Sequence, residues 1–276
     1  MLLILKLVLA PSLVVLSTLA GRRWGQGITG VLVALPVVAG PILLITELDH
    51  GRQFAGRAAG ASLLGLVTLA LFALVFARVS AVLGQLNTLG IGWGVCLVAD
   101  LVLSTVVVAP VIGLVLALAG TGIAMALMPA DRPASADPTP SSTAWPWWDL
   151  PARAIATVVL VLVVTGAAAR LGPSLTGVLA PFPIATSVVA TFTLALRGRA
   201  ATVVLLRGVL RGLIGFATFC FLVAILVVPT GPVPAFASAL GAVITVQIII
   251  RATTSRLALR SAPIPALTAP AERNAD

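Results

Sequence analysis

Charged residues are scarce in this chain of 276 residues, and tyrosine is absent. Charged side chains make up 9% of the residues, apolar side chains make up 60%, and the mean hydropathy is +1.17. Soluble domains usually carry about 25% charged residues, so this composition excludes an ordinary soluble fold. The chain is therefore predicted to lie in a lipid bilayer.

Metal-binding and nucleophilic side chains are also few. The single histidine is His50, and the two cysteines, Cys96 and Cys220, both stand in apolar runs. The two cysteines show neither a metal-ligand spacing nor a disulfide framework. They are therefore interpreted as small residues that pack in the protein interior. The sequence has no Ser/His pair, no HExxH motif and no phosphate loop. We therefore predict no enzyme activity, no cofactor and no bound metal.

Basic residues outnumber acidic ones, 17 against 8. A nucleic-acid surface would need a basic patch interleaved with aromatic residues. Here the arginines stand singly or in pairs between apolar runs, which is typical of residues that fix membrane topology. The predicted partner is the lipid bilayer, and no nucleic-acid partner is expected.

Nine segments are apolar enough to cross a bilayer core of about 30 Å, which needs about 20 helical residues. They lie near residues 3–20, 26–46, 56–79, 88–107, 109–128, 154–169, 174–195, 205–228 and 232–250. The run from Leu89 to Met128 would be about 60 Å long as one helix, so we expect it to fold back at Pro110. A signal peptide is the alternative for the first segment, but its only early charge, Lys6, and its poor cleavage site favour retention.

An internal repeat relates the two halves of the chain at an offset of 147 residues. It aligns Arg23, Gly25, Thr29, Gly30, Pro36, Gly51 and Arg52 with Arg170, Gly172, Thr176, Gly177, Pro183, Gly198 and Arg199. The predicted organisation is a first four-helix repeat (1–107), a linker helix with a cytoplasmic hinge loop (108–150), a second four-helix repeat (151–253) and a cytoplasmic tail (254–276).

One unmatched helix lies between the two four-helix units, so the second unit starts on the opposite side of the membrane from the first. The second unit therefore has the inverted topology. The predicted fold is an all-α polytopic membrane protein with nine transmembrane helices, arranged as two four-helix repeats of inverted topology joined by a linker helix. With the N-terminus outside and the C-terminus inside a bacterial cytoplasmic membrane, thirteen of the 17 basic residues are cytoplasmic. Lys6, Arg52, Arg57 and Arg170 are outside. A parallel arrangement of eight helices gives the same count, so only helix length favours nine.

A short motif occurs once in each half, with a glycine turn, then Gly, x, Leu, and a proline six residues after the Gly. It runs from Gly30 to Pro36 and from Gly177 to Pro183. In this pattern the chain resembles a tandem duplication of the GlpM-type small four-helix bacterial inner-membrane proteins. The resemblance covers the first two or three helices of each half. It implies four-helix membrane units, and some members are linked to exopolysaccharide production.

Asp100 is the main candidate for a functional site. A charge at the centre of a membrane helix costs about 2.5 to 3.5 kcal/mol on the insertion scale, so its position requires a reason. The repeat aligns Asp100 with Gln247, another polar residue in an apolar helix. One interpretation is a proton or substrate site between the repeats. The other is a protonated side chain that bonds to a neighbouring helix.

Prolines interrupt corresponding helices of the two halves. Pro36 and Pro41 lie in the second predicted helix, and Pro181 and Pro183 lie in the seventh. Paired interruptions of this kind indicate a binding site at the repeat interface, because freed carbonyl groups can face a cavity. Close packing through the adjacent glycines is the alternative.

Polar residues cluster where the second predicted helix leaves the membrane on its outer side. Glu47, Asp49 and His50 are interpreted either as an outer-side gate for a cation or as a solvated loop. Because no second cluster of ligands accompanies His50, no metal site is assigned.

Two functions stay open. The repeat, the paired prolines and Asp100 favour a small secondary transporter of a small solute or proton, working by alternating access between two repeats. The GlpM-type resemblance favours a non-catalytic membrane scaffold, or an accessory subunit of an envelope or exopolysaccharide system, acting as a homo-oligomer or with an envelope-complex partner.

Overall fold

The computed structural model describes residues 2–36, 39–130, 146–171 and 182–260. Nine helices and no strands lie in these ranges. They are α1 (Leu2–Trp24), α2 (Gln26–Val33), α3 (Ala39–His50), α4 (Arg52–Val79), α5 (Gln85–Ser104), α6 (Pro110–Leu127), α7 (Asp149–Leu171), α8 (Ile184–Thr230) and α9 (Pro232–Arg260). The predicted all-helical fold is confirmed for this part of the chain.

The second predicted span is divided into two helices. α2 ends at Val33, Pro36 lies in the turn that follows, and α3 begins at Ala39. A proline cannot donate the backbone hydrogen bond that a helix interior needs, so a break near Pro36 is expected. Pro41 is tolerated because it lies in the first turn of α3, where backbone N–H groups have no partner within the helix.

The long apolar run from Leu89 to Met128 folds back as predicted. α5 ends at Ser104, and α6 begins at Pro110, whose fixed φ angle suits the first position of a helix. The α6 helix then packs against α4, where Gly113 adjoins Leu63 and Gly120 adjoins Val67.

The offset of 147 residues reappears in the helix boundaries. α1 and α7 each contain 23 residues, and both ends of the two helices differ by that offset. Gly51 separates α3 from α4 with a φ of 85°, and its counterpart Gly198 bends α8 with a φ of 75°. These backbone angles strongly favour glycine. α8 therefore has a first arm before Gly198 and a second arm after it.

The second arm of α8 lies against α4 at the centre of the molecule. The two helices are antiparallel, because Gly56 near the start of α4 faces Ala224 and Val227 near the end of α8. Side chains from both helices form the core, and Phe72, Phe76, Leu205, Leu213 and Phe219 are fully buried there.

Five helices in the described ranges are long and apolar enough to cross a membrane. They comprise α4, α5, α6, α8 and the Pro232–Thr253 part of α9. Their outward side chains are largely apolar, including Val98, Val115 and Ile244, which are 64%, 60% and 61% exposed. Such exposed apolar faces suit a lipid environment. The apolar helices thus agree with a multi-pass membrane protein.

Candidate functional site

Asp100 lies in the interior of the helix bundle, 5% exposed. The α5 helix ends at Ser104, earlier than predicted, so Asp100 stands about one turn from the end of its own helix. Asp100 is nevertheless enclosed between α5 and α4. Cys96 on the preceding turn contacts both the Asp100 carboxylate and the Thr68 carbonyl, each at 3.9 Å. Thr68 lies in the middle of α4.

Beside Asp100 is a cavity of about 830 Å³. One wall is a face of α4 rich in small residues, and the other walls come from α5, the start of α6 and the end of α8. The lining includes Gln53, Gly56, Arg57, Gly60, Ala61, Leu64, Gly65, Asp100, Ser104, Pro110, Ala224 and Val228. Because glycine and alanine carry little or no side chain, this face of α4 leaves room for a small molecule.

The two ionisable groups of the described lining, Arg57 and Asp100, stand at opposite ends of the cavity. Gln53 and Arg57 lie near the start of α4 and are exposed, whereas Asp100 lies near Gly65, twelve residues after Gln53. At 1.5 Å per residue, the α4 wall is about 18 Å long. The walls between the two ends are mainly apolar. The cavity therefore combines a buried carboxylate with a basic group at the more accessible end.

Gln247, the counterpart of Asp100, occupies a filled site. Its amide donates to the carbonyls of Arg211 and Gly212 on α8, both at 3.4 Å. The corresponding positions on α4 are Leu64 and Gly65, and both line the cavity at Asp100. Asp100 and Gln247, which the offset of 147 residues aligns, thus lie beside corresponding faces of α4 and α8.

The predicted prolines lie elsewhere. Pro36 is buried after α2, Pro41 lies inside α3, and Pro183 is the residue that precedes α8. None of the three belongs to the described lining of the cavity. Pro181 falls outside the described residues. The structure therefore joins Asp100 to Arg57 and Gln53, not to the described prolines.

The proposed outer-side residues surround the turn at Gly51. Glu47 is buried and forms a loose ion pair with Arg52, with 3.9 Å between Oε1 and Nε. Asp49 and His50 are exposed, and the ring of His50 stacks on Phe54 with centroids 4.9 Å apart. In the described parts of the chain no three His, Cys, Asp or Glu residues are grouped to hold a metal ion.

A second buried polar cluster joins α1 to α7. Asp149 is fully buried and accepts hydrogen bonds from two arginines, Arg22 Nη2 at 2.8 Å and Arg153 Nε at 2.7 Å. Arg153 is 1% exposed and also stacks over Phe192, with 5.2 Å from its guanidinium carbon to the ring centroid. Since the end of α1 meets the start of α7, these two equivalent helices are antiparallel.

Sequence reasoning missed these groups for different reasons. Asp149 and Arg153 carry a local signal, an acid and a base four residues apart at a helix start, which predicts a pair on one helix face. Arg57 has no such local signal in the sequence, because hydropathy does not reveal which face of α4 borders a cavity. For Arg22 the sequence indicates only a topology determinant, because its partner is 127 residues away.

The long apolar helices of the described residues are consistent with an integral membrane protein, and the two buried polar sites lie among them. Comparison of the chain with protein-family models, with curated proteins and with solved structures gives no match. The function must therefore be argued from the chain's own residues.

Proposed function

We propose that the chain is a small proton-linked secondary transporter of the bacterial cytoplasmic membrane, in which the cavity at Asp100 binds a small solute. The observation that carries this proposal is a buried carboxylate at the wall of a cavity of about 830 Å³. Ligand cavities typically have volumes of about 300 to 1,000 Å³. Intramembrane carboxylates commonly belong to ion or proton pathways.

The packing supports two four-helix repeats of inverted topology. The equivalent helices α1 and α7 are antiparallel, and so are α4 and the second arm of α8. Antiparallel equivalents are expected for a two-fold axis in the membrane plane. A parallel duplication would instead bring Arg22 next to the end of α7.

The arrangement of basic residues supports the proposed orientation. Arg78 at the end of α4 donates to the carbonyl of Leu127, and Arg207 on α8 donates to the carbonyl of Pro129. Arg22 reaches Asp149. These contacts gather arginines at one end of the bundle, whereas Arg52 and Arg57 lie at the other. An excess of basic residues at one end favours that end as cytoplasmic.

In the proposed mechanism, Asp100 takes up a proton when the solute leaves and releases it when the solute binds. An isolated carboxylate in apolar surroundings is strongly disfavoured, so Asp100 needs either a proton or a bound polar solute. Arg57 and Gln53 meet the solute first at the end of the cavity that is predicted to face outside. The proton and the solute are thereby coupled through a single side chain.

The test is substitution of Asp100 by Asn in proteoliposomes that contain a pH-sensitive dye. Sugars, amino acids and organic amines are added singly, and solute-dependent proton movement is recorded. We expect the wild type to respond to at least one solute and Asp100→Asn to respond to none, because Asn keeps the volume but cannot titrate. The matched control, Asp49→Asn, changes an exposed carboxylate outside the cavity and should behave as wild type.

Proton-linked transport is contradicted if the wild type moves no protons with any solute. It is also contradicted if Asp100→Asn moves as many protons as the wild type. If Asp100 serves only to bond neighbouring helices, Asp100→Asn is nearly silent and Asp100→Leu lowers the free energy of unfolding by about 1 to 2 kcal/mol. Detergent stability of both variants distinguishes these outcomes.

A scaffold or accessory subunit is the second candidate, and one observation favours it. Gly90 and Gly94 on α5 are exposed, and a Cβ added at either would meet nothing within 4 Å. Their counterparts Ala237 and Gly241 form the same small-residue spacing on α9 and are also exposed. Such spacing lets membrane helices approach each other closely, so both faces could hold a helix of another subunit.

A further inference from the structure

The cavity at Asp100 has one ionisable group of each sign. Asp100 and Arg57 are the ionisable side chains of its described lining, and the described ion pairs include neither of them. Asp100 is 5% exposed, whereas Arg57 is exposed at the opposite end. A solute with a positive group at one end and a negative group at the other would be complementary to both side chains.

The direction of the Arg57 side chain sets the distance between the two charges. Its Nε donates to the Gln53 carbonyl at 3.4 Å, one turn closer to the start of α4. Asp100 lies at the other end of the cavity, near Gly65. The rise of α4 is about 12 Å from Arg57 to Gly65 and about 18 Å from Gln53 to Gly65. The guanidinium and the carboxylate are therefore about 12 to 18 Å apart along the helix.

The walls between the two charges offer hydrocarbon contacts and few hydrogen bonds. The Ser104 hydroxyl already donates to the Leu101 carbonyl at 2.8 Å. A hydroxyl group moved from water into apolar surroundings needs a new hydrogen-bond partner, and a sugar has many such groups. The walls therefore favour a solute whose middle part is a hydrocarbon chain. The apolar lining comprises Gly56, Gly60, Ala61, Leu64, Gly65, Leu103, Val106, Val107, Val108, Pro110, Ala224 and Val228.

From this arrangement we infer that the solute is a linear ω-amino carboxylate, with its ammonium group at Asp100, its carboxylate at Arg57 and Gln53, and its methylene chain along the apolar walls. This rests on the proposed transporter function and names the substrate class. Binding replaces the proton on Asp100 by the ammonium group, and that proton is released to water. The planar guanidinium of Arg57 suits a carboxylate, because two parallel hydrogen bonds can join them.

The distance between the two charges predicts the length of the solute. A hydrogen bond takes up about 3 Å at each end, which leaves about 6 to 12 Å between the charged groups of the solute. An extended chain with C–C bonds of about 1.5 Å advances roughly 1.3 Å per bond. The best solutes should therefore have about four to eight methylene groups. The compound 8-aminooctanoate lies inside this range.

Binding of radiolabelled 8-aminooctanoate to the full chain in nanodiscs tests the inference, with empty nanodiscs as the background. Unlabelled ω-amino carboxylates of increasing length, beginning with glycine, are added as competitors at pH 7, where both of their groups are charged. We expect competition to be strongest at about four to eight methylene groups. Glycine, which cannot reach both ends of the cavity, should compete more weakly by about tenfold or more.

Variants and a shortened solute assign the two ends. Arg57→Gln should weaken 8-aminooctanoate binding by about tenfold or more, because it removes charged hydrogen bonds to the carboxylate. It should leave the binding of octylamine, which has no carboxylate, unchanged. Asp100→Asn should weaken the binding of both compounds. The matched control is Arg52→Gln, which changes an exposed arginine of α4 outside the described lining and should bind both compounds as the wild type does.

Three results would overturn the inference. The wild type binds no ω-amino carboxylate, competition does not depend on chain length, or Arg57→Gln binds 8-aminooctanoate as well as the wild type does. The first two results need no variant, so they do not depend on whether a variant folds. Binding with the expected length dependence but without proton movement would reject only the proposed function. Proton movement driven by other solutes alone would reject only this inference.

Discussion

The two ends of the molecule differ in how tightly their charged groups and helices are packed. At one end, which we call the closed end, the backbones of α2 and α8 are in direct contact at Gly30 and Gly208, and Asp149 binds Arg22 and Arg153 at 2.8 and 2.7 Å. At the other, the open end, the α4 wall faces a cavity, and Glu47 lies 3.9 Å from an Arg52 that is 55% exposed. Short, buried ion pairs therefore stabilise the closed end, whereas the open end has only a long, partly exposed pair beside its cavity.

The largest expected effect separates the two ion clusters. Asp149→Ala leaves two guanidinium groups without their shared buried carboxylate, and breaking a buried pair costs about 3 to 5 kcal/mol. Glu47→Ala at the open end removes a long contact of 3.9 Å to a half-exposed arginine, for which we expect less than about 1 kcal/mol. Thermal unfolding of detergent-purified protein measures both. Equal effects of the two substitutions would contradict the contrast between the ends.

The next largest difference in stability is expected between a glycine substitution where α8 contacts α2 and one on the cavity wall of α4. Gly208→Ala places a methyl group against the backbone of Gly27, and such overpacking costs about 1 to 3 kcal/mol. Gly60→Ala adds the same group to the cavity wall, where it meets only Pro110 at 3.8 Å.

The Gly60 substitution should raise stability slightly, by up to about 1 kcal/mol, because alanine is the better helix former. Chemical unfolding curves of the two variants give the comparison. A stable Gly208→Ala protein would mean that α2 does not press on α8.

The smallest expected effect concerns Gln247. Gln247→Met keeps the length of the side chain and loses two hydrogen bonds of 3.4 Å, each near the upper limit for such a bond. We expect the free energy of unfolding to fall by less than about 1 kcal/mol. Solute-driven proton movement should persist in this variant, unlike in Asp100→Asn. A complete loss of transport would contradict this expectation, because the amide of Gln247 cannot exchange a proton as Asp100 is proposed to do.

The helices themselves could be predicted well from sequence. Prolines and glycines mark the break at Pro36 and the bend at Gly198, and the apolar runs give the approximate spans. The length of α1 could be transferred to α7 through the repeat. These features depend on local chemistry, which a single sequence records directly.

The site could be predicted only in part. The rarity of charge singled out Asp100, but its partners in the cavity follow from how α4 is rotated relative to α5, and nearly every face of α4 is apolar. The prolines were expected at the same site because they recur in both halves. Pro36 and Pro183, which the offset aligns, instead lie next to helix ends outside the described cavity lining, so their recurrence indicates shared backbone geometry.

The bond between Arg22 and Asp149 also constrains how the protein is made. Arg22 leaves the ribosome 127 residues before its partner. When α7 emerges, Asp149 and Arg153 can already neutralise each other one helical turn apart, which lowers the cost of taking them out of water. The pair then completes its contacts by joining α1. The bonding of the buried Asp149 carboxylate in the second half is therefore completed only by a residue of the first half.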